Sequence, residues 1–296
     1  MEDARELSVV IVNYNTREDL ENCLTSISKS KQNLGYEIWV VDNCSTDGSL
    51  EMVKRRFPSV RLIENNSNLG FSKANNVALR QIRSPFILLL NPDTIVHDHV
   101  FDRTTDFLKA NDDAGMVSCM LVKADGTLDL ACRRSFPSPF DGFCRAAGLS
   151  KLFPRSKLFA RYNLTYLPED KVSEVDAVNG AFMMVKQEAL KEVGFLDEDY
   201  FMYIEDLDWC FRFKNRGWKI YYVPDSTTTH IKGQAGKKNS NRMIGEFFKS
   251  MELFCLKNYS SRKSRVNLFT VLTGIKIWKS ATLLQNALRR QKRVTP

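Results

Sequence analysis

The sequence predicts an α/β fold, a mostly parallel sheet flanked by helices and followed by a basic helical C-terminal extension, and three observations lead there. Apolar runs of strand length alternate with amphipathic stretches of helix length through the first half of the chain. Each of those apolar runs ends in a cluster of Asn, Asp or Ser. Residues 253–296 hold ten Lys and Arg and no Asp or Glu.

The elements follow in order. LSVVIV (7–12) is a buried strand, REDLENCLTSIS (17–28) an amphipathic helix and YEIWVVD (36–42) a second strand. A helix over 48–56, a strand over 60–64, a helix over 72–82 and a strand over 86–90 continue the alternation. Beyond Asn111 the pattern loosens. A strand at 116–122 leads into an Asp-Gly hairpin turn, and residues 133–172, rich in Pro, Phe and Arg, read as an irregular insertion. A strand over 176–186, a short helix closed by Gly194, a helix closed by Gly217, a strand over 218–223 and a turn at Pro224–Ser226 complete the body. The expected division is a domain over 1–240, with halves 1–112 and 113–240, and an extension over 241–296.

Composition removes several classes of function. The chain of 296 residues is 43% hydrophobic, enough for a sizeable core. Its seven cysteines include no Cys-x-x-Cys pair, so neither a disulfide framework nor a zinc site is expected and a reducing, cytoplasmic setting fits. Three acids precede a first apolar run too short for a signal peptide or a membrane span. The net charge of +8 resides in the tail, since the first 252 residues carry 33 basic and 35 acidic groups. Nucleic acid is therefore not an expected partner, although a tail-borne nucleic-acid contact remains the alternative from another class.

In open parallel sheets ligands bind beyond the carboxyl ends of the strands. There the sequence places Asn13, Tyr14 and Asn15 after strand one, Asp42, Asn43 and Ser45 after strand two, Asn65, Asn66 and Asn68 after strand three, and Asn91 and Asp93 after strand four. Turn and capping chemistry also selects such residues. No Gly-x-Gly-x-x-Gly or Gly-Lys-Ser/Thr loop follows the first strand, which argues against a dinucleotide oxidoreductase or a P-loop ATPase. A nucleotidyltransferase would want a Gly-rich first loop with a basic residue, and Asn-Tyr-Asn is not one. A carboxylate-held divalent cation is the other common way to hold a diphosphate, and NPDT (91–94) presents Asp93 at a Pro-fixed turn.

Six segments in order, SVVIVNY (8–14), VVDNCSTDGS (40–49), NLGFSKANN (68–76), NPDT (91–94), VNGAFMMVK (178–186) and FMYIEDLDWCFR (201–212), together resemble family 2 glycosyltransferases of the GT-A (Rossmann-like) fold, and more narrowly their rhamnosyltransferase-like branch. The resemblance covers residues 7–235. It implies an inverting transfer of a sugar from a nucleotide-diphosphate donor to an acceptor hydroxyl of a cell-surface glycan or lipid-linked saccharide. The favoured donor is dTDP-L-rhamnose, and a UDP-hexose or UDP-galactofuranose is the alternative. Asn13, Tyr14, Asn15, Asp42, Ser45, Asn68, Gly70, Asn75 and Asn91 would form the nucleotide site, with Asp42 accepting from the base and Asp47 shaping its loop. NPDT stands where the family has Asp-x-Asp. Asn91 departs from that motif and leaves Asp93 as the carboxylate for Mg2+ or Mn2+.

The acidic cluster of IEDLDWC has a simple structural reading, because acids at a helix start complement its dipole. The resemblance adds a chemical one: Asp206 as general base, Glu205 orienting it or meeting the acceptor, and Asp208 structural. His230 lies where GT-A enzymes often supply a further metal or diphosphate ligand, and a neutral imidazole suits that task. Lys232, Lys237 and Lys238 behind it could neutralise a diphosphate. His97 and His99 are expected to be solvated, and Trp209, Phe211 and Phe213 to be core. In the tail, Leu268, Phe269, Val271, Leu272, Ile275, Trp278, Leu283 and Leu284 recur at helical spacing among Lys276, Lys279, Arg289 and Arg290. Such a helix either packs on the catalytic domain or lies on an anionic inner leaflet, holding the enzyme peripherally at the membrane.

Overall fold

The computed structural model describes residues 5–231, 240–259 and 265–288. Lys232, Lys237, Lys238, Arg289 and Arg290 lie outside the described residues.

The chain runs β1 (Leu7–Asn13), α1 (Arg17–Lys29), β2 (Tyr36–Asp42), α2 (Ser49–Arg56), β3 (Arg61–Glu64), α3 (Gly70–Leu79), β4 (Phe86–Leu90), β5 (Thr94–Val96) and α4 (Val100–Ala110). It continues through β6 (Ala114–Val122), α5 (Pro139–Ala146), α6 (Leu149–Leu152), β7 (Ser173–Val175), β8 (Phe182–Lys186), α7 (Gln187–Val193), α8 (Glu205–Asn215), β9 (Lys219–His230), α9 (Ser240–Tyr259) and α10 (Arg265–Leu288). The strands form one sheet in the order β3-β2-β1-β4-β8-β6-β9-β5, with β7 added on β9.

The α/β class predicted from the alternation is the observed one. The first four strands pair in parallel, and the in-register pairing sets Asn13 beside Asp42 and Asp42 beside Glu64 at their carboxyl ends. Central β4 is buried along its whole length, which explains its unbroken apolar run, whereas edge strand β3 exposes Arg61 and Glu64. Helix α1 buries Leu20, Cys23, Leu24 and Ile27, one stripe at the i, i+3, i+4, i+7 spacing. From β8 onward the sheet is mixed: β8 runs antiparallel to β4 and β6, β9 is parallel to β6, and β5 and β7 are antiparallel to β9.

Three expectations for the second half change. Residues 139–152 contain two short helices, because Ser138 and Asp141 form a reciprocal capping box with Pro139 in the first turn. Of the strand expected over 176–186 only Phe182–Lys186 is extended in the sheet; the preceding residues turn, with Arg134 and Ala177 bridged. The turn expected at Pro224–Ser226 is a bulge inside β9, where the register with β6 jumps from Cys119↔Val223 to Met120↔Thr227. The bulge lets one strand carry on to His230.

Helix α9 is fixed to the body. Phe254 enters the main core, the Phe211 ring stands edge-on to Phe254 and Tyr259, Ser250 donates to the Met202 carbonyl at 3.0 Å, and Asn258 donates to Asp208 at 3.1 Å. Helix α10 lies on α9, packing Leu268, Val271, Leu272, Ile275, Trp278 and Leu283 around Phe248 and Ile244. Phe269, Ile277 and Leu284 on α10 remain exposed. The tail residues thus divide between a packed face and an open one.

Candidate active site

The parallel half ends in a polar network closed on itself. The Asn13 amide donates to Asp42 Oδ1 at 2.7 Å and to Ser45 Oγ at 3.0 Å, while the Ser45 backbone donates to Asp42 Oδ2 at 2.7 Å. Ser45 Oγ also accepts from the Asn15 backbone at 2.9 Å, and Asn15 Oδ1 accepts from the Thr46 backbone at 2.8 Å. Asn15 and Cys44 have positive φ, 53° and 64°, the turn geometry that brings these groups face to face. Asp47 accepts from the backbones of Arg17 and Ser49, holding the loop over α1. Asn13 and Asp42 are buried, and Tyr14 stands out with its ring exposed.

A second loop joins this network to the other half of the molecule. Asn43 donates to the Gly70 carbonyl and accepts from Asn65, and Asn68 accepts from the Gly70 backbone. Gly70 has φ +80°, and a Cβ there would lie 2.4 Å from the Phe201 carbonyl oxygen. The Phe71 backbone donates to that same oxygen at 2.7 Å. Only glycine permits this approach of the two chains. Asn75 is buried, with its amide committed to the Phe71 carbonyl.

The turn Val178–Ala181 connects the NPDT tip to the acidic helix. The Asn91 backbone donates to the Ala181 carbonyl at 3.1 Å, and the adjoining Gly180 backbone donates to Asp206 Oδ2 at 3.3 Å. Helix α8 is buried almost all round, so its three N-terminal acids sit in the interior. Arg134, itself buried, donates to Asp206 Oδ2 at 2.6 Å and to the Val178 carbonyl. Burial works against the Arg134 charge, yet the Asp206 carboxylate more than offsets it and the guanidinium is held firmly charged. Glu205 lies alongside with Oε2 lacking a partner among the described residues. Burial first, and the Asp206 charge second, push the Glu205 carboxyl far above its usual range. Asp208 serves packing, bonding Arg212 at 2.9 Å and accepting from Asn258. The backbone entering α8 is strained: Tyr203 and Ile204 both have φ 68°, costly for a β-branched residue.

The third group is a chain of carboxylate, imidazole and carboxylate. His230 Nε2 is 3.3 Å from Asp93 Oδ1 and Nδ1 is 3.2 Å from Asp129 Oδ2. Burial alone would discharge the ring, but the bond to Asp129 and the pull of Asp93 prevail and raise its pKa to about 9. The neutral imidazole expected from the sequence is thus a proton carrier at neutral pH, unless another cation replaces that proton. The donor set fits a divalent ion: Asp93 offers a carboxylate, His230 turns Nε2 toward it, and Asp129 fixes the ring from behind. No three His, Cys, Asp or Glu side chains converge on a metal-sized site among the described residues. Oxygens of a bound diphosphate would have to complete the shell.

His97 bonds Thr229 and His99 pairs with Asp102, while Trp209, Phe211 and Phe213 are core. Sequence reasoning missed Arg134 and Asp129. Arg134 is 72 positions from its partner and lies in a segment without regular periodicity, and Asp129 passes for the foot of a hairpin. The available signal was the pair Arg133-Arg134 directly after that hairpin.

Known proteins bear on this arrangement. A family model described as "Glycosyltransferase like family 2" matches residues 4–246. An N-acetylglucosaminyl-diphospho-decaprenol L-rhamnosyltransferase of Mycobacterium tuberculosis is 28% identical over 97% of this chain and 95% of its own. Rhamnosyltransferase WbbL of Escherichia coli is 24% identical over 75% of this chain and 82% of its own. Among solved structures, the mannosyltransferase PcManGT of Pyrobaculum calidifontis, in complex with GDP-Man and Mn2+, superposes with a TM-score of 0.59 over 96% of this chain and 76% of its own, at 18% identity. That last likeness is one of fold, the GT-A architecture.

Proposed function

The chain belongs to glycosyltransferase family 2, and from that premise we propose that it moves L-rhamnose from dTDP-L-rhamnose, with inversion, to a hydroxyl of a lipid-diphosphate-linked saccharide of the N-acetylglucosamine type. The observation that carries this reading is the match to the mycobacterial rhamnosyltransferase across nearly the full length of both chains. A rhamnosyltransferase of a second organism matches three quarters of the chain.

In this reading the nucleotide lies over the Asn13–Asp42–Ser45 network, with Tyr14 exposed at its rim. Asn15, Asn68, Gly70, Asn75 and Asn91 hold the shape of the surrounding loops. The acceptor oxygen attacks the anomeric carbon while the bond from that carbon to the diphosphate oxygen breaks, and the hydroxyl proton passes to Asp206. Arg134 and the Gly180 N–H fix the Asp206 carboxylate through Oδ2. Glu205, held protonated, orients the acceptor without adding a second charge. A Mg2+ or Mn2+ ion at Asp93 and His230 would neutralise the leaving diphosphate. No helix among the described residues is long and apolar enough to cross a membrane. Attachment is therefore read as peripheral, through the exposed face of α10 and its Lys276.

The test is a panel of dTDP-L-rhamnose, UDP-hexoses and UDP-galactofuranose offered with a short-chain N-acetylglucosaminyl-diphospholipid, with product mass and anomeric configuration measured. A mass gain of one deoxyhexose from dTDP-L-rhamnose alone is expected. Transfer from a UDP-sugar instead would replace the donor, and a retained anomeric configuration would remove Asp206 as base.

A further inference from the structure

The segment between Arg134 and the turn at Val178 carries an apolar surface with a built frame. Its base is pinned beside the acidic helix: the Phe136 ring stands edge-on to Phe211 at 5.1 Å, the Ser135 backbone donates to the Tyr162 carbonyl, and Arg161 pairs with Asp141 at 2.5 Å. Helix α5 then turns Asp141 and Cys144 inward. Outward it presents Phe140 and Phe143, 43% and 59% exposed, and after Gly148 the chain adds Leu152 and Leu158 at 69% and 58%. Phe140 and Phe153 both lie near Phe159, at 6.5 and 5.5 Å between ring centres, and Phe143 lies 6.4 Å from Phe140, so the four rings form one cluster, with Leu152 and Leu158 next in sequence to two of them. The capping box and the Ser156 hydroxyl, which accepts from the Leu158 and Phe159 backbones, hold the shape without burying it.

The charges of this segment indicate what covers the patch. Residues 142–168 contain no Asp or Glu, while Lys151, Arg155 and Lys157 are exposed among the apolar side chains. Exposed aromatics and leucines interleaved with cations, with no acid among them, match the boundary of an anionic leaflet, where rings enter the acyl edge and cations meet phosphate. We propose that this face is a bilayer-contact surface in which Phe143, Leu152 and Leu158 enter an anionic leaflet while Lys151, Arg155 and Lys157 meet its phosphates. The segment joins the site through Arg134, which bonds Asp206, and through Phe136, which packs on Phe211 of α8. Docking there brings the catalytic carboxylate to the membrane surface from which the head group of a lipid-linked acceptor projects. The proposal builds on the lipid-linked acceptor of the proposed function but is measured without any sugar transfer.

The experiment uses the full chain and phosphatidylcholine vesicles containing increasing fractions of phosphatidylglycerol. Phe143→Glu/Leu152→Glu is expected to lower vesicle partition by about tenfold or more at every composition, and Lys151→Gln/Arg155→Gln/Lys157→Gln to flatten its dependence on phosphatidylglycerol. All five substituted positions are exposed, so transfer to a short-chain, water-soluble acceptor should stay within about twofold of wild type, the lost interactions being with lipid alone. Transfer to the same head group on a long-chain lipid in vesicles should fall with partition. Partition equal to wild type in both variants overturns the proposal, as does a Phe143→Glu/Leu152→Glu variant that only converts a lipid-free dimer to a monomer in sedimentation, which assigns the face to a second copy of this chain. Absence of transfer by wild type to any acceptor would instead defeat the functional reading and leave the partition result standing.

Discussion

The two halves of this molecule, donor-side and acceptor-side on the proposed function, solve the same problem, polar groups at the end of a sheet, in opposite ways. At β1 and β2 the polar side chains satisfy one another, with both Asp42 oxygens, the Asn13 amide and Ser45 Oγ in use. The positive-φ residues there are Asn15 and Cys44, and Asn tolerates that conformation well. In the second half the buried polar atoms without partners among the described residues include Arg134 Nε and Glu205 Oε2, and the positive-φ residues are Leu164, Tyr203 and Ile204. The network at β1 and β2 is closed on itself, whereas the start of α8 combines unmet hydrogen-bonding capacity and backbone strain with a buried charge pair. Strain and orphaned polar groups of this kind persist where function requires them. The proposed mechanism puts binding in the first half and the proton chemistry in the second, and this contrast is what it has to explain.

The sharpest way to break that division is Asp206→Asn. On the proposed mechanism it lowers kcat by about 10³-fold, because the base acts only in the transition state. Nucleotide affinity should not move in a titration of the variant with dTDP. An equal loss of affinity would place Asp206 in the binding half.

Arg134→Met should rank next, through stability. Removing one partner of a buried ion pair leaves the other charge uncompensated, and we expect a loss of about 3 kcal/mol in denaturant unfolding. Arg134→Met/Asp206→Asn should recover most of it. If the double variant is no more stable than the single, Arg134 acts through its bond to the Val178 carbonyl and not through the charge.

Glu205→Gln sharpens the comparison through pH. The folded state raises the Glu205 pKa to about 8 from a reference of 4.5, so the folded protein holds a proton that the unfolded chain releases first. The carboxyl's contribution to stability is thus complete below about pH 4.5 and is lost as pH rises toward 8. Relative to wild type, Glu205→Gln should gain stability with rising pH by at most about 1.4 kcal/mol per unit. Unfolding curves at pH 5, 6, 7 and 8.5 measure this, and a constant difference would mean that Glu205 is ionised throughout.

Gly70→Ala tests the joint between the halves. A Cβ 2.4 Å from the Phe201 oxygen forces one chain away from the other, at about 2 kcal/mol including the positive φ. Because Phe201 precedes the strained Tyr203-Ile204 pair, the variant should lose kcat as well as thermal stability. A variant that loses stability alone would make the joint a packing contact.

What was legible in the sequence divides along the same line. Regular alternation exposed β1 to β4 nearly residue for residue, and the Asn and Asp clusters marked their ends, because parallel strands buried on both faces leave an unbroken apolar run. The acids of α8 were visible as a cluster, but their setting was not. That a helix is buried all round follows from what surrounds it, and the cation paired with Asp206 comes from a segment whose shape depends on a capping box and a bulge. The Asp129–His230–Asp93 chain was half visible: Asp93 and His230 stood out as candidates, but the bulge that carries β9 on to His230 did not, and Asp129 is reached only after β6 has ended.

The smallest effect expected lies where the halves share a ligand. Asp93 ends the donor-side strands and His230 ends β9, so an ion between them would couple nucleotide to the second half. Without an ion, His230 stands between Asp93 and Asp129, and the two carboxylates favour a proton on the ring. Asp93→Ala removes one of the two protein ligands proposed for the ion and leaves His230 still held by Asp129. We expect Mn2+ to raise wild-type affinity for dTDP and to lose about tenfold of that effect in the variant, with metal-free affinity unchanged. Calorimetric titration of dTDP with and without Mn2+ gives both numbers for both proteins. An unchanged Mn2+ effect would reduce NPDT to a turn, whereas a loss of affinity without metal would return Asp93 to the preformed network of the first half.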